Sequence, residues 1–325
     1  MKKPIIVSGI QPTGRLHLGN YLGALKNFVA LQNSGKYNCI FFIADYHSLT
    51  INFDPKEKQQ QIYNLVNAYL SAGLDPKKSL LFTQSQAPDC TELAWILNTI
   101  TPIGELERMT QYKDKAQENK QNINAGLFTY PALMAADIIM YDAAFVPVGE
   151  DQVQHLEFTR TLARKFNNKF GKTFIEPQPI LTKTARLMSL NDPEKKMSKS
   201  IPNGCLFLND SPAEIEKKIK TAVTDSGSEI KYDAQNKPGI SNLLDIYSAL
   251  TEKSVAEIEN KYKDKNYGQF KTDLAQIAIK ALEPFRSKKI PDSKIKTLLS
   301  ASAKKAQKLS SAKMKEVKNK LGLPN

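Results

Sequence analysis

Little in this sequence points to metal binding, disulfides or a membrane. Its three cysteines, Cys39, Cys90 and Cys205, are far apart and form no metal-ligand spacing. Such thiol usage suits the cytoplasm and predicts no disulfide framework. No run approaches the ~18 apolar residues of a membrane span, so no membrane partner is expected. Met1-Lys2-Lys3-Pro4 leads straight into a strand candidate, which leaves no room for a signal peptide's apolar core. The two standard phosphate fingerprints are missing as well. There is no G-x-x-x-x-G-K-[ST], and Gly9, Gly14, Gly19 and Gly23 do not spell G-x-G-x-x-G. Nor does any nucleophilic triad or acid/base pair stand out.

Acidic residues are the scarcer charge: 33 against 46 basic ones, a net +13 over 325 residues. The imbalance is greatest at the end. From Arg286 onward Arg286 and eleven lysines face only Asp292 and Glu316. This tail reads either as an amphipathic helix with a polyanion-facing side or as a lysine-rich solvated face. An apolar content of 41% and a charged content of 24% are those of a soluble globular protein, long enough for two domains.

The chain opens on Ile5-Ile6-Val7, a buried strand by its apolar run. Gly9, Pro12 and Gly14 then punctuate a turn, and from Leu18 the apolar spacing becomes helical through Leu22, Leu25, Phe28 and Val29. Strand, Gly-rich turn and helix N-terminus in that order make a ready anion site. His17 and Asn20 would add neutral donors. Strands are predicted over 5–8, 39–44 and 79–83, and helices over 18–33, 55–73 and 89–100. Asp89 and Glu92 have the form of a capping box. The alternation predicts an α/β fold with a doubly wound, Rossmann-like parallel sheet, whose ligands sit beyond the carboxyl ends of the strands. The opening turn and Asp45-Tyr46-His47 would both lie on that edge.

Residues 104–126 read as helix and then a polar loop, with Lys113 and Lys115 ordinary surface lysines on composition. Thr129-Tyr130-Pro131 is expected to start a helix, with the proline in its first turn. Tyr130, Met134, Asp137 and Tyr141 then share one face. A carboxylate on an apolar, aromatic face must be paired. It is either a buried structural Asp or the acceptor at the base of a ligand pocket. A strand over 144–148 follows, then the turn Gly149-Glu150-Asp151-Gln152 and a helix through Asn167. The acidic turn suits ribose hydroxyls or a plain N-cap by Asp151. Residues 192–204, bracketed by Pro193, Pro202 and Gly204, form a loop carrying Lys196-Met197-Ser198-Lys199-Ser200. Beyond about 205–210 the pattern is helical, giving an α/β part over 1–207 and a helical part over 208–325.

His17-Leu18-Gly19-Asn20 with Lys196-Met197-Ser198-Lys199-Ser200 resembles the paired HIGH and KMSKS signatures of class I aminoacyl-tRNA synthetases. Further stretches resemble the tryptophanyl members of bacterial type: residues 8–14, 104–111, 130–137, 146–152, 222–226 and 237–244. The resemblance implies a tryptophan–tRNA ligase activity, which forms tryptophanyl-adenylate from L-tryptophan and ATP and then charges tRNA(Trp). Its cofactors would be ATP and Mg²⁺ carried on the phosphates, and its state a homodimer that reads the anticodon through the helical domain.

Residue by residue, Gln11, Pro12, Thr13, Gly19 and Asn20 would line ATP, with His17 beside them. Gly149, Glu150 and Asp151 would face the ribose, and Leu187 and Met197 the adenine through their backbones. Lys115, Lys196 and Lys199 would converge on the pyrophosphate, the last two on a loop whose Ser198 and Ser200 would also line ATP. Asp137 would accept the indole N–H, with Tyr130, Met134, His47, Val146, Val148 and Gln152 around the amino acid. Val7 departs from an aromatic, and Ile201 from an acidic residue, at positions where the family often has them. Rival readings are a tyrosyl enzyme of the same subclass, a small-molecule adenylyltransferase, and a non-enzymatic nucleic-acid-binding module.

Overall fold

Five short runs rich in Ile, Val, Leu and Phe pair side by side in a computed structural model, which describes residues 3–113, 123–181, 187–199 and 201–324. They are β1 (Ile5–Ile10), β2 (Asn38–Ile43), β3 (Ser79–Thr83), β4 (Phe145–Val148) and β5 (Gln178–Leu181). All pair in parallel, in the order β3-β2-β1-β4-β5. Such a sheet must be covered on both faces. Two separate apolar cores accordingly flank it, one holding Ile6, Phe41 and Leu81, the other Val7, Phe42 and Phe82.

The register places Ile10 beside Ile43 and Ile43 beside Thr83, so these strands end level. Strand order reverses between β1 and β4, the crevice where doubly wound sheets take ligands. Everything that follows the strand ends therefore gathers on one edge: the turn after Ile10, His47, Gln84 and Gly149.

The helices differ from expectation in instructive ways. The stretch 18–33 starts as helix at Leu18–Asn20, widens to a π segment over Tyr21–Leu25, and resumes as α1 (Lys26–Asn33). Helix α2 (Pro55–Ala72) ends on Gly73, as a left-handed glycine cap should. Helix α3 (Asp89–Asn98) is not capped by Asp89: its N-cap is Pro88, without a side-chain bond. The Asp89 carboxylate instead accepts from Ser310 and Ser311, so a tertiary partner displaced the local one. Helix α4 (Ala125–Ile139) begins before Pro131, capped by Asn124, whose Oδ1 accepts from Leu127 N at 2.9 Å. Pro131 thus lies inside the helix, not in its first turn.

Helix α5 (Val153–Phe170) runs past Asn167 and has Gln152, not Asp151, at its N-cap position. Beyond the lysine loop come α6 (Pro212–Lys220), α7 (Pro238–Thr251), α8 (Val255–Lys261), α9 (Tyr267–Ser287) and α10 (Asp292–Leu321). Helix α10 does not stay with the helical part. Ile295 and Leu299 join one core, while Ala306, Met314 and Val317 join the other, so it passes over the exposed edge of β3. Covering an edge strand with a helix blocks unwanted pairing.

Candidate active site

After Ile10 the chain turns through Gln11-Pro12-Thr13-Gly14. Thr13 N donates to Gln11 O at 2.9 Å. Gly14 takes a φ of 69°, a left-handed conformation that a side chain would strain. The turn is then zipped to the segment that follows the lysine loop: Leu208 N donates to Leu16 O at 2.9 Å and Leu18 N to Leu206 O at 2.8 Å. Asn20 Oδ1 accepts the His17 backbone N–H at 3.1 Å. With that oxygen committed, Asn20 has amide N–H donors left to offer an anion. A Cβ on Gly19 would lie 3.0 Å from the His17 ring, so glycine lets the imidazole settle against the turn. Burial, then the charges of Lys199 and Lys196, push the His17 ring down to about 4. The ring is neutral at pH 7, and its buried Nδ1 has no partner among the described residues.

The loop was expected from its prolines and glycine, and it has a defined path. Met188 and Lys196 form an antiparallel bridge, and Met197 N donates to Leu187 O at 3.0 Å. Leu187 and Met197 are buried. Asn242 of α7 clasps Met188 from both sides, its Oδ1 accepting at 2.9 Å and its Nδ2 donating at 3.0 Å. Ile201 N donates to Ser198 O at 3.1 Å. This frame brings Lys199 back across 186 residues, and its Nζ donates to Thr13 O at 2.5 Å and to Thr13 Oγ1 at 3.3 Å. Burial lowers the Lys199 pKa. Lys196 is exposed, yet near enough to His17 for its charge to count. Ser200 and Lys115 lie outside the described residues.

A fully buried carboxylate holds the turn to the segment after the lysine loop. Asp210 accepts from Arg15 Nη2 at 2.8 Å, Lys218 Nζ at 2.7 Å and Phe207 N at 2.9 Å. The Arg15 guanidinium also stacks 4.1 Å over the Phe207 ring.

The second cluster is built on α4. Asp137 is buried, and its Oδ2 accepts from His47 Nε2 at 2.7 Å. Gln84 Nε2 donates to Oδ1 at 2.8 Å and to Oδ2 at 2.9 Å. This acid is therefore paired, and paired by residues that follow the carboxyl ends of β2 and β3. Gln84 Oε1 in turn accepts from Tyr46 N at 3.1 Å. Burial and the neighbouring Asp137 charge raise the Cys90 thiol pKa, which leaves it inert. Tyr130 Oη and His155 Nε2 are 2.7 Å apart, and the His47 and Tyr130 rings meet edge-on at 6.3 Å. Val146 and Val148 are buried on one face of β4, and Met134 is half-buried. Val7 is wholly buried in the same core as Val146.

The turn after β4 is a single 3-10 turn, Glu150–Gln152, with both acids exposed. A Cβ on Gly149 would lie 2.7 Å from Asp151 Oδ1, and Gln152 Nε2 donates to Asp151 Oδ2 at 2.9 Å.

Gln84, His155 and Asp210 were not read from the sequence, and Asn242 only as part of the stretch 237–244. Gln84 had a signal: it is the first residue after an apolar strand, on the edge where ligands bind. The others are fixed by tertiary partners with no local mark. Chemically, one half of the site offers ammonium groups and neutral donors to an anion, and the other a held carboxylate in an aromatic surround. Among the described residues no group of three or more His, Cys, Asp or Glu could hold a metal ion, and no helix is long and apolar enough to cross a membrane.

The model of the class I tRNA synthetases (W and Y) matches residues 1–283. A tryptophan–tRNA ligase of Bacillus anthracis is 47% identical over 325 residues, covering 98% of each chain. Among solved structures, the tryptophanyl-tRNA synthetase of Mycoplasma pneumoniae superposes with a TM-score of 0.88 at 36% identity, covering 99% of both chains. That of Campylobacter jejuni, complexed with ADP and tryptophan, gives 0.83 at 35% identity over 98% of this chain and 99% of that one.

Proposed function

This chain belongs to the class I tRNA synthetases of the W and Y group, and from that premise we infer that it is a tryptophan–tRNA ligase. The observation that carries the reading is the Lys199–Thr13 contact, which sets a loop-borne cation on the anion turn. The relatives named for tryptophan favour that amino acid over tyrosine.

ATP fits the first half of the site. Its triphosphate would meet the turn Gln11–Thr13, the amide of Asn20, the neutral His17 ring, and Lys196 and Lys199, with Lys115 a further candidate. Gly149, Glu150 and Asp151 would face the ribose, and the backbones of Leu187 and Met197 the adenine. Ammonium groups and neutral donors suit phosphate and not a divalent cation, so Mg²⁺ would arrive on the triphosphate and neutralise part of its charge. Tryptophan fits the second half. The indole N–H would donate to Asp137 Oδ1, the oxygen that His47 does not use, beside Tyr130, Met134, Val146, Val148 and Gln152.

The tryptophan carboxylate attacks the α-phosphorus, a C–O–P linkage forms, and the bond to the β-phosphate oxygen breaks to release pyrophosphate. A carboxylate is already ionised at neutral pH, so the step needs no general base. Rate comes from alignment and from cations that meet the developing charge. Carrying them on a loop lets that charge arrive with the transition state. Transfer to the 3′ end of tRNA(Trp) follows. The exposed lysines of α10, such as Lys304, Lys305 and Lys308, suit a polyanion. We further propose the cytoplasm as its location, 1–207 as the catalytic domain, 208–325 as the tRNA-reading part, and a homodimer. Trp95 and Ile103, 71% and 66% exposed, are apolar enough to be covered by a second copy.

Amino-acid-dependent pyrophosphate exchange across the standard twenty tests the reading. Exchange driven by tryptophan supports it, whereas exchange driven by tyrosine alone overturns it.

A further inference from the structure

Helix α10 grips the segments next to Gln84 and Asp137, the bonded pair at the base of the amino-acid cluster. Gln307, Ser310 and Lys313 recur every three residues and so lie along one face. Gln307 Nε2 donates to Gln86 O at 2.6 Å, within the turn Gln84–Gln86. Ser310 Oγ donates to Asp89 Oδ2 at 2.5 Å, joined by Ser311 Oγ at 2.9 Å, at the first residue of α3. Lys313 Nζ lies 2.8 Å from Asp142 Oδ1 and donates to Thr173 O at 3.1 Å and Glu316 Oε2 at 2.8 Å. Asp142 stands just past α4, five residues beyond Asp137, and holds a left-handed φ of 51°.

We propose that Gln307, Ser310 and Lys313 are positioning residues for the amino-acid pocket: together they fix the placement of the Gln84 amide against the Asp137 carboxylate. The inference rests on the tryptophan reading above.

Stability alone does not call for these groups. The apolar face of α10, through Ala306, Met314 and Val317, already docks it. A buried ammonium such as Lys313 can often be replaced by a well-packed apolar side chain without loss of stability. What directional bonds add is position, and here they act on the two elements that carry the bonded pair. One rigid helix thus spans the turn after β3 and the end of α4. Small displacements at such a pair matter, because hydrogen bonds weaken steeply with distance and angle.

The test is pyrophosphate exchange with full-length Gln307→Ala, Ser310→Ala, Ser310→Thr and Lys313→Met, with thermal melting of each. Gln307 is exposed, so its variant should fold normally. The three disruptive variants should raise KM for tryptophan about 3- to 20-fold, the range of coupling through a packed network. KM for ATP and kcat should stay within about twofold, and Ser310→Thr should restore the wild-type KM. Unchanged KM for tryptophan in Gln307→Ala and Ser310→Ala would overturn the proposal. So would a parallel worsening of KM for ATP, kcat and melting temperature. A wild-type enzyme inactive with tryptophan would instead sink the underlying reading, and is seen before any variant is made.

Discussion

His47 Nε2 lies 2.7 Å from Asp137 Oδ2, ninety residues on, and Gln84 bridges both oxygens of the same carboxylate. Three elements that follow or flank different strands thereby converge on one acid. On the proposed reading an indole N–H adds one more bond to this already paired carboxylate, a bond that a ligand without a ring donor cannot make.

Asp137→Ala should therefore narrow the preference for tryptophan over phenylalanine. One hydrogen bond to a charged acceptor contributes about 1.5–3 kcal/mol, or roughly 10- to 150-fold in relative kcat/KM. Competitive exchange assays with both amino acids measure it. A preference equal to that of the wild type would show that Asp137 is purely structural.

His17 gives a pH dependence with a definite sign. Its folded-state value is about 4 against 6.5 for the free side chain, because burial and then Lys199 and Lys196 disfavour the charged ring. Above pH 6.5 neither folded nor unfolded chain protonates it, so it contributes no slope. Between 6.5 and 4 the unfolded chain binds the extra proton, and stability falls as pH falls. The ceiling is about 1.4 kcal/mol per pH unit. Urea unfolding of wild type and His17→Gln at pH 7 and pH 5 should show the variant losing less. Equal losses would contradict the assignment.

Asp210 ties the turn after β1 to the segment after the lysine loop. Asp210→Ala removes the charged partner of Lys218 and Arg15, which keep Cys205 O and Asn209 Oδ1, and the acceptor of the Phe207 N–H. Arg15 is half-exposed and rehydrates cheaply, so the loss is set by the other two, about 2–4 kcal/mol. Denaturant melts check the magnitude. A loss under about 0.5 kcal/mol, the scale of ordinary surface changes, would mean the cluster is solvated.

Much of this was legible in the residues. The parallel sheet followed from apolar runs at βα spacing, and the loop from Pro193, Pro202 and Gly204. The convergence of Asp137 with His47 followed from the resemblance. What escaped depended on partners distant in sequence. Asp89 looked like a cap until Ser310, 221 residues away, proved the stronger claim. Asn124, three residues before Leu127, is an N-cap hidden in an Asn-rich stretch, so α4 begins at Ala125, ahead of the expected start at Thr129-Tyr130-Pro131. Strand β5 is only Gln-Pro-Ile-Leu, too short for periodicity to register. Gly9 looked like turn material but lies inside β1, facing the Phe42 ring. The π segment over Tyr21–Leu25 has no sequence signature that propensity can supply.

At the centre stands the claim that a loop-borne ammonium supplies the charge for phosphoryl transfer. Single-turnover formation of tryptophanyl-adenylate by Lys199→Ala tests it most directly, alongside tryptophan binding. The expected result is a rate lower by about 10²–10³-fold, as for one lost preorganised donor, with tryptophan affinity intact. A rate within about threefold of wild type, against that same scale, would contradict it.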